Sequence, residues 1–127
     1  MKIEHLAIWT TQLERLRDFY VEHFGCTAGD KYINPTTGFS SYFIQFASGA
    51  RLELMTKTGL AAATAEPPSC GYAHFALSLG SEEQVRTYTE VLRRKGLAIK
   101  SSPRRTGDGY FESVVADPDG NLIELTV

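Results

Sequence analysis

Two histidines and two glutamates stand at matched places in this 127-residue chain: His5 with His74, 69 residues apart, and Glu53 with Glu124, 71 apart. Imidazole nitrogens and carboxylate oxygens together form the donor set of borderline divalent ions such as Zn, Ni, Co, Mn or Fe. Coordination positions left to water would let such an ion act on a substrate as well as brace the fold. The same four residues also suit two hydrogen-bonded core histidines and two rim glutamates. The elements that carry them bear on which of the two holds.

Those elements repeat. The segment EHLAIWTTQLERLRDFYVEHFG at 4–25 matches AHFALSLGSEEQVRTYTEVLRRKG at 73–96, and RLELMT at 51–56 matches NLIELTV at 121–127. Nearly equal offsets at both ends indicate two copies of one supersecondary unit. The first copy reads as a strand over 2–9, a helix ending at Gly25, and strands near 27–33, 40–47 and 50–55. Thr11-x-x-Glu14 has the form of a capping box, and Leu13, Leu16, Phe19, Tyr20 and Phe24 mark one helix face. The second copy reads as a strand over 72–79, a helix opened by Ser81-x-x-Gln84 and closed by Gly96, and strands near 98–101, 110–116 and 121–126. Val85, Tyr88, Val91 and Leu92 mark the apolar face of that helix. Asp117-Pro118-Asp119-Gly120 is a turn between its last two strands. Each half is therefore expected to be βαβββ, with repeats at about 1–56 and 71–127 joined by a linker at 57–70 within one α+β domain.

Strand alternation then assigns faces. His5 shares a face with Ile3, Ala7 and Trp9; Glu53 with Arg51 and Met55; His74 with Tyr72, Ala76 and Ser78; Glu124 with Leu122 and Thr126. The opposite faces carry Leu6 and Ile8, Leu52 and Leu54, Phe75, Leu77 and Leu79, and Ile123, Leu125 and Val127. The aliphatic face must take the helices. The mixed face suits a concave, partly wet cavity, and a carboxylate there is costly unless it is paired, hydrogen-bonded or on a metal.

Composition narrows the function classes. Hydrophobic residues make up 43% and charged residues 22%, with a net charge of -2, an ordinary balance for a globular domain without a nucleic-acid or membrane partner. The N-terminus has too short an apolar run for a signal peptide, and no stretch approaches a membrane span. Cys26 and Cys70 lack CxxC spacing and read as reduced, partly buried thiols, consistent with a cytoplasmic location. His23 reads as a surface or helix-end residue, and Arg93, Arg94 and Lys95 as complements to a helix C-terminus.

EHLAIW at 4–9, RLELM at 51–55, GYAHFALS at 71–78 and DPDGNLIEL at 117–125 resemble the vicinal oxygen chelate superfamily, over essentially the whole chain. That superfamily includes glyoxalase I, fosfomycin-resistance proteins, extradiol dioxygenases and methylmalonyl-CoA epimerase. The His-Glu-His-Glu set is most similar to the glyoxalase I pattern. The resemblance implies two βαβββ modules forming curved mixed sheets with helices on the convex side. It further implies a homodimer in which His5 and Glu53 of one subunit meet His74 and Glu124 of the other around one divalent ion. The implied activity is that of a lactoylglutathione lyase-like lyase or isomerase, in which a metal stabilises an enediolate from a small carbonyl or thiol-adduct substrate. Glu124 is the implied base and Glu53 a second. The alternatives within the resemblance are an antibiotic- or metabolite-binding protein of the bleomycin-resistance type, an epimerase and a dioxygenase.

The substrate residues depart from the glyoxalase I pattern. Trp9 stands where that pattern has an arginine for the glutathione carboxylate, and Lys57 where it has an asparagine. A planar guanidinium fork cannot be replaced by an indole for carboxylate binding. Trp9 is a candidate substrate contact, as are Arg104 and Arg105 in the basic stretch SSPRRTGDGY at 101–110, which reads as a loop.

Overall fold

The computed structural model describes residues 1–61 and 70–127, so most of the expected linker at 57–70 lies outside the described residues. The chain divides into two compact units, Met1–Thr64 and Ala65–Val127. The first contains β1 (His5–Trp9), α1 (Leu13–Phe24), β2 (Thr27–Ala28), β3 (Tyr32–Asn34), β4 (Phe39–Gln45) and β5 (Arg51–Thr56). The second contains β6 (His74–Ser78), α2 (Glu82–Arg94), β7 (Ala98–Arg105), β8 (Phe111–Ala116) and β9 (Leu122–Thr126).

Each sheet is mixed. In the first, the order is β1-β5-β4-β2, with β3 also on β4, so β2 and β3 act as one interrupted strand. In the second the order is β6-β9-β8-β7. The first and last strands of each unit pair in parallel and the remaining pairs are antiparallel. The topology of the two units is the same, which fits the internal repeat.

Burial follows the alternation. Leu52, Leu54 and Ile44 of the first sheet are buried with Leu13, Leu16, Phe19 and Tyr20 of α1. Ile123, Leu125 and Val115 of the second are buried with Val85 and Leu92 of α2. Leu6 and Ile8 on the outer strand β1, and Phe75 and Leu77 on β6, are only half-buried because each strand has one neighbour in its sheet.

Several local expectations are corrected. The capping box at Thr11 does not form: α1 has Gln12 as its N-cap and no capping side chain, while the preceding Thr10 Oγ1 accepts from Gln12 N at 2.9 Å. Ser81 does cap α2, its hydroxyl accepting from Gln84 N at 3.2 Å. Val91 faces out, and the core position goes to Thr89, whose hydroxyl bonds Val85 O and Ser113 Oγ, each at 2.6 Å. The stretch read as a loop from 101 is strand through Arg105, because β7 is an outer strand whose two register shifts accommodate Pro103. His23 takes the helix-end alternative, in the last turn of α1 and largely covered against Phe19. Cys26 is buried, but Cys70 is exposed.

Both helix ends use glycine. Gly25 takes φ 62° after α1. After α2, Gly96 N bonds Arg93 O at 3.0 Å and Leu97 N bonds Leu92 O at 3.1 Å, a Schellman closure that needs the positive φ of Gly96. The turn between β8 and β9 is closed by Asp117, whose Oδ1 accepts from the backbone of Asp119 and Asn121, each at 2.9 Å. Its Oδ2 accepts from Asn121 Nδ2 at 2.8 Å.

Two measurements check this arrangement. Ser81→Ala should lower unfolding stability by about 1 kcal/mol in urea titration, the usual value of a formed N-cap. Thr11→Ala should change it by less than about 0.5 kcal/mol, as for an exposed position outside any cap. Burial pushes the Cys26 thiol up to about 11. At pH 8 the folded protein should therefore gain one iodoacetamide adduct by mass spectrometry, at Cys70, and the unfolded protein two.

Candidate metal centre

In the first unit the parallel register sets His5 opposite Arg51, Ala7 opposite Glu53 and Trp9 opposite Met55. Residues opposite one another share a face, so His5 and Glu53 are diagonal neighbours on the side away from the leucine core. His5 Nε2 lies 3.8 Å from Glu53 Oε2. The second unit repeats this register, with His74 opposite Leu122 and Ala76 opposite Glu124. There His74 Nε2 lies 3.3 Å from Glu124 Oε2. An alanine stands across from the glutamate in both units, which keeps side-chain bulk away from the approach of ring to carboxylate.

The structure thus brings the four sequence-derived residues together as two pairs, His5 with Glu53 and His74 with Glu124. Among the described residues, no group of three or more His, Cys, Asp or Glu side chains forms a metal-sized cluster. Both pairs match a divalent ion in kind; the 3.3 Å pair also has the spacing of two donors on one ion, and the 3.8 Å pair stands wider. A nitrogen and an oxygen each ~2.1 Å from one ion, at angles between square and tetrahedral, stand about 3.0–3.4 Å apart. The glutamates are only 16% and 15% exposed and the histidines 39% and 43%, so the carboxylates are partly desolvated while the rings stay reachable.

Glu124 has a further acidic neighbour. The antiparallel register of β8 on β9 pairs Glu112 with Thr126 and Val114 with Glu124, so Glu112 faces the same side. Burial, then a hydrogen bond with Glu112 and its charge, push the Glu124 carboxyl above its ordinary value, against the opposing pull of His74. Arg104 Nη2 donates to Glu112 Oε1 at 2.9 Å. Glu112 was missed in the sequence, although an acid inside the apolar run FESVVA, one residue out of phase with Phe111 and Ser113, was the available signal. Glu4 was missed too. It lies just before β1 and holds His5 Nδ1 and Arg51.

The expected substrate contacts are placed as follows. Trp9 is 47% exposed, meets Phe39 edge-on with centroids 6.1 Å apart, and has Lys57 Nζ 5.3 Å from its ring centroid. Arg104 is engaged by Glu112, and Arg105 by Glu82 and the Gly109 carbonyl. Neither arginine stands apart from an internal carboxylate.

The chain is 30% identical over 125 residues to a "Putative lactoylglutathione lyase" of Brassica oleracea var. gemmifera and to "Lactoylglutathione lyase GLX1" of Arabidopsis thaliana, covering 95% of this chain. It spans 42% of the length of each of these relatives, less than half. A glyoxylase/bleomycin resistance protein/dioxygenase domain from Frankia sp. EAN1pec superposes with a TM-score of 0.83 at 16% identity, over 100% of this chain and 97% of that one. Among the described residues no helix is long and apolar enough to cross a membrane. Residues 2–125 match the family model of the Glyoxalase/Bleomycin resistance protein/Dioxygenase superfamily, and the chain belongs to that superfamily.

Proposed function

We propose that this protein is a metal-dependent lyase or isomerase of glyoxalase I type, acting on a small carbonyl or thiol-adduct substrate. The observation that carries the reading is the His–Glu pair built twice, at the same strand register, on the face opposite each core. A sequestering cup of the bleomycin-resistance kind has no use for two such pairs. His5, Glu53, His74 and Glu124 would hold one divalent ion (Zn, Ni, Co, Mn or Fe). Following the resemblance, the two pairs are supplied by different subunits of a homodimer. A cytoplasmic setting suits the two free thiols.

The ion, when bound, polarises the oxygens of the substrate. Proton movement falls to the carboxylates. Glu124 takes a proton from carbon and returns it to the neighbouring carbon. Burial and the neighbouring Glu112 favour the protonated form of its carboxyl. Glu53 would be the second base. Trp9 offers an apolar surface on the face of His5, and Arg104 reaches that of Glu124 through Glu112. With Trp9 and Lys57 in the positions where glutathione-binding residues are expected, the thiol part of the substrate need not be glutathione.

Metal analysis tests the reading first. The purified protein should carry, or take up on reconstitution, about one divalent ion per proposed site, and failure to do either rejects it. With metal loaded, isomerisation of the methylglyoxal–glutathione hemithioacetal is followed by absorbance. Inactivity there moves the assignment to another carbonyl substrate. On whichever substrate turns over, Glu124→Gln should lower kcat by roughly 10²–10⁴-fold, the usual contribution of a positioned general base. Undiminished turnover in that variant removes Glu124 from the role.

A further inference from the structure

We propose that Glu4 is a positioning residue for the first metal-binding histidine: clamped by Arg51, it fixes the His5 ring with Nδ1 protonated and Nε2 turned to Glu53. The inference rests on the metal reading above and assigns a role within that site. His5 Nδ1 lies 2.5 Å from Glu4 Oε2, while Nε2 is the atom nearest Glu53. Arg51 donates to the other Glu4 oxygen from Nε at 2.8 Å and also from Nη2. The guanidinium rests on Phe43, 4.0 Å from the ring centroid, and Phe43 meets His5 edge-on at 5.5 Å. An ionised carboxylate only accepts hydrogen bonds, so the ring nitrogen facing Glu4 must carry the hydrogen. A carboxylate behind a ligating imidazole fixes the tautomer and orientation of the ring and raises its basicity.

The second unit shows that the fold does not require this arrangement. It forms the same parallel strand pair, with the same alanine–glutamate opposition, yet Ala73 stands where Glu4 does and Leu122 where Arg51 does. Two cooperating residues are therefore present in one unit only, one bonded to the ring and the other bonded to that carboxylate. Exposed ion pairs contribute little to stability, so holding the strands together is a poor explanation for them.

Nitrogen-15 NMR of the metal-free protein, at a pH where the rings are neutral, reads the tautomer directly. Wild type should show His5 as the Nδ1–H form. Glu4→Ala should shift it toward the Nε2–H form, and Glu4→Gln should keep most of the Nδ1–H form, because its amide oxygen still accepts. His74 serves as the internal control and should be unchanged in all three. Co²⁺ titration should then show about 10–100-fold weaker binding in Glu4→Ala, with most of the affinity restored in Glu4→Gln. An Nε2–H tautomer in wild type, or a His5 tautomer unmoved by Glu4→Ala, overturns the proposal whatever the affinities. A wild-type protein that takes up no Co²⁺ rejects the metal reading instead, and the tautomer of the metal-free ring still decides whether Glu4 positions it.

Discussion

The parallel pairing of the first and last strands in each unit governs everything at the site, because it fixes which residues share a face. Sliding β5 by one residue against β1 would carry Glu53 into the core and bring Leu52 and Leu54 out. Each exposed leucine would forfeit about 1.5–3 kcal/mol of burial. The carboxylate would face a desolvation penalty of several kcal/mol. The same holds for Ile123, Leu125 and Glu124 on β9. Hydrophobic burial on one face thus enforces the position of the polar groups on the other, without any interaction between the two His–Glu pairs being needed to fold either unit.

The two pairs are built alike but surrounded differently. His5 is backed by a carboxylate and an arginine, and its glutamate has Phe43 opposite on β4. Among the described residues His74 has no such backing, while its glutamate has a second acid beside it, tied to Arg104. Each unit carries one His–Glu pair. The neighbouring groups bear on the ring in the first pair and on the carboxylate in the second. That division matches a reading in which one pair anchors and the other handles protons.

Much of this was legible in the sequence because it depends on period and residue type. Alternation placed His5, Glu53, His74 and Glu124 on the face away from each core, and Ser81, Gly25 and Gly96 marked helix ends through their own local chemistry. The illegible parts depend on contacts between elements. Thr11 has the pattern of a cap, yet the neighbouring Thr10 turns its hydroxyl to the backbone and the helix starts later. Glu4 gains meaning only once Arg51, 47 residues on, is brought opposite His5. Ser101, Ser102 and Pro103 look like loop because each weakens a strand, but an outer strand tolerates them by bulging.

The Asp117 turn carries a consequence for how this chain can change. One side chain satisfies three donors within five residues, so the connection between β8 and β9 has a defined length. A single inserted or deleted residue there would reverse the orientation of every side chain in β9, turning Glu124 inward while leaving most of the composition intact. The β4–β5 connection, through Ser48 and Gly49, has no comparable side-chain clasp among the hydrogen bonds described. Length variation should therefore accumulate in the first half of the chain and be strongly purged from the second, an asymmetry that a set of related sequences would record as gaps on one side of the repeat only.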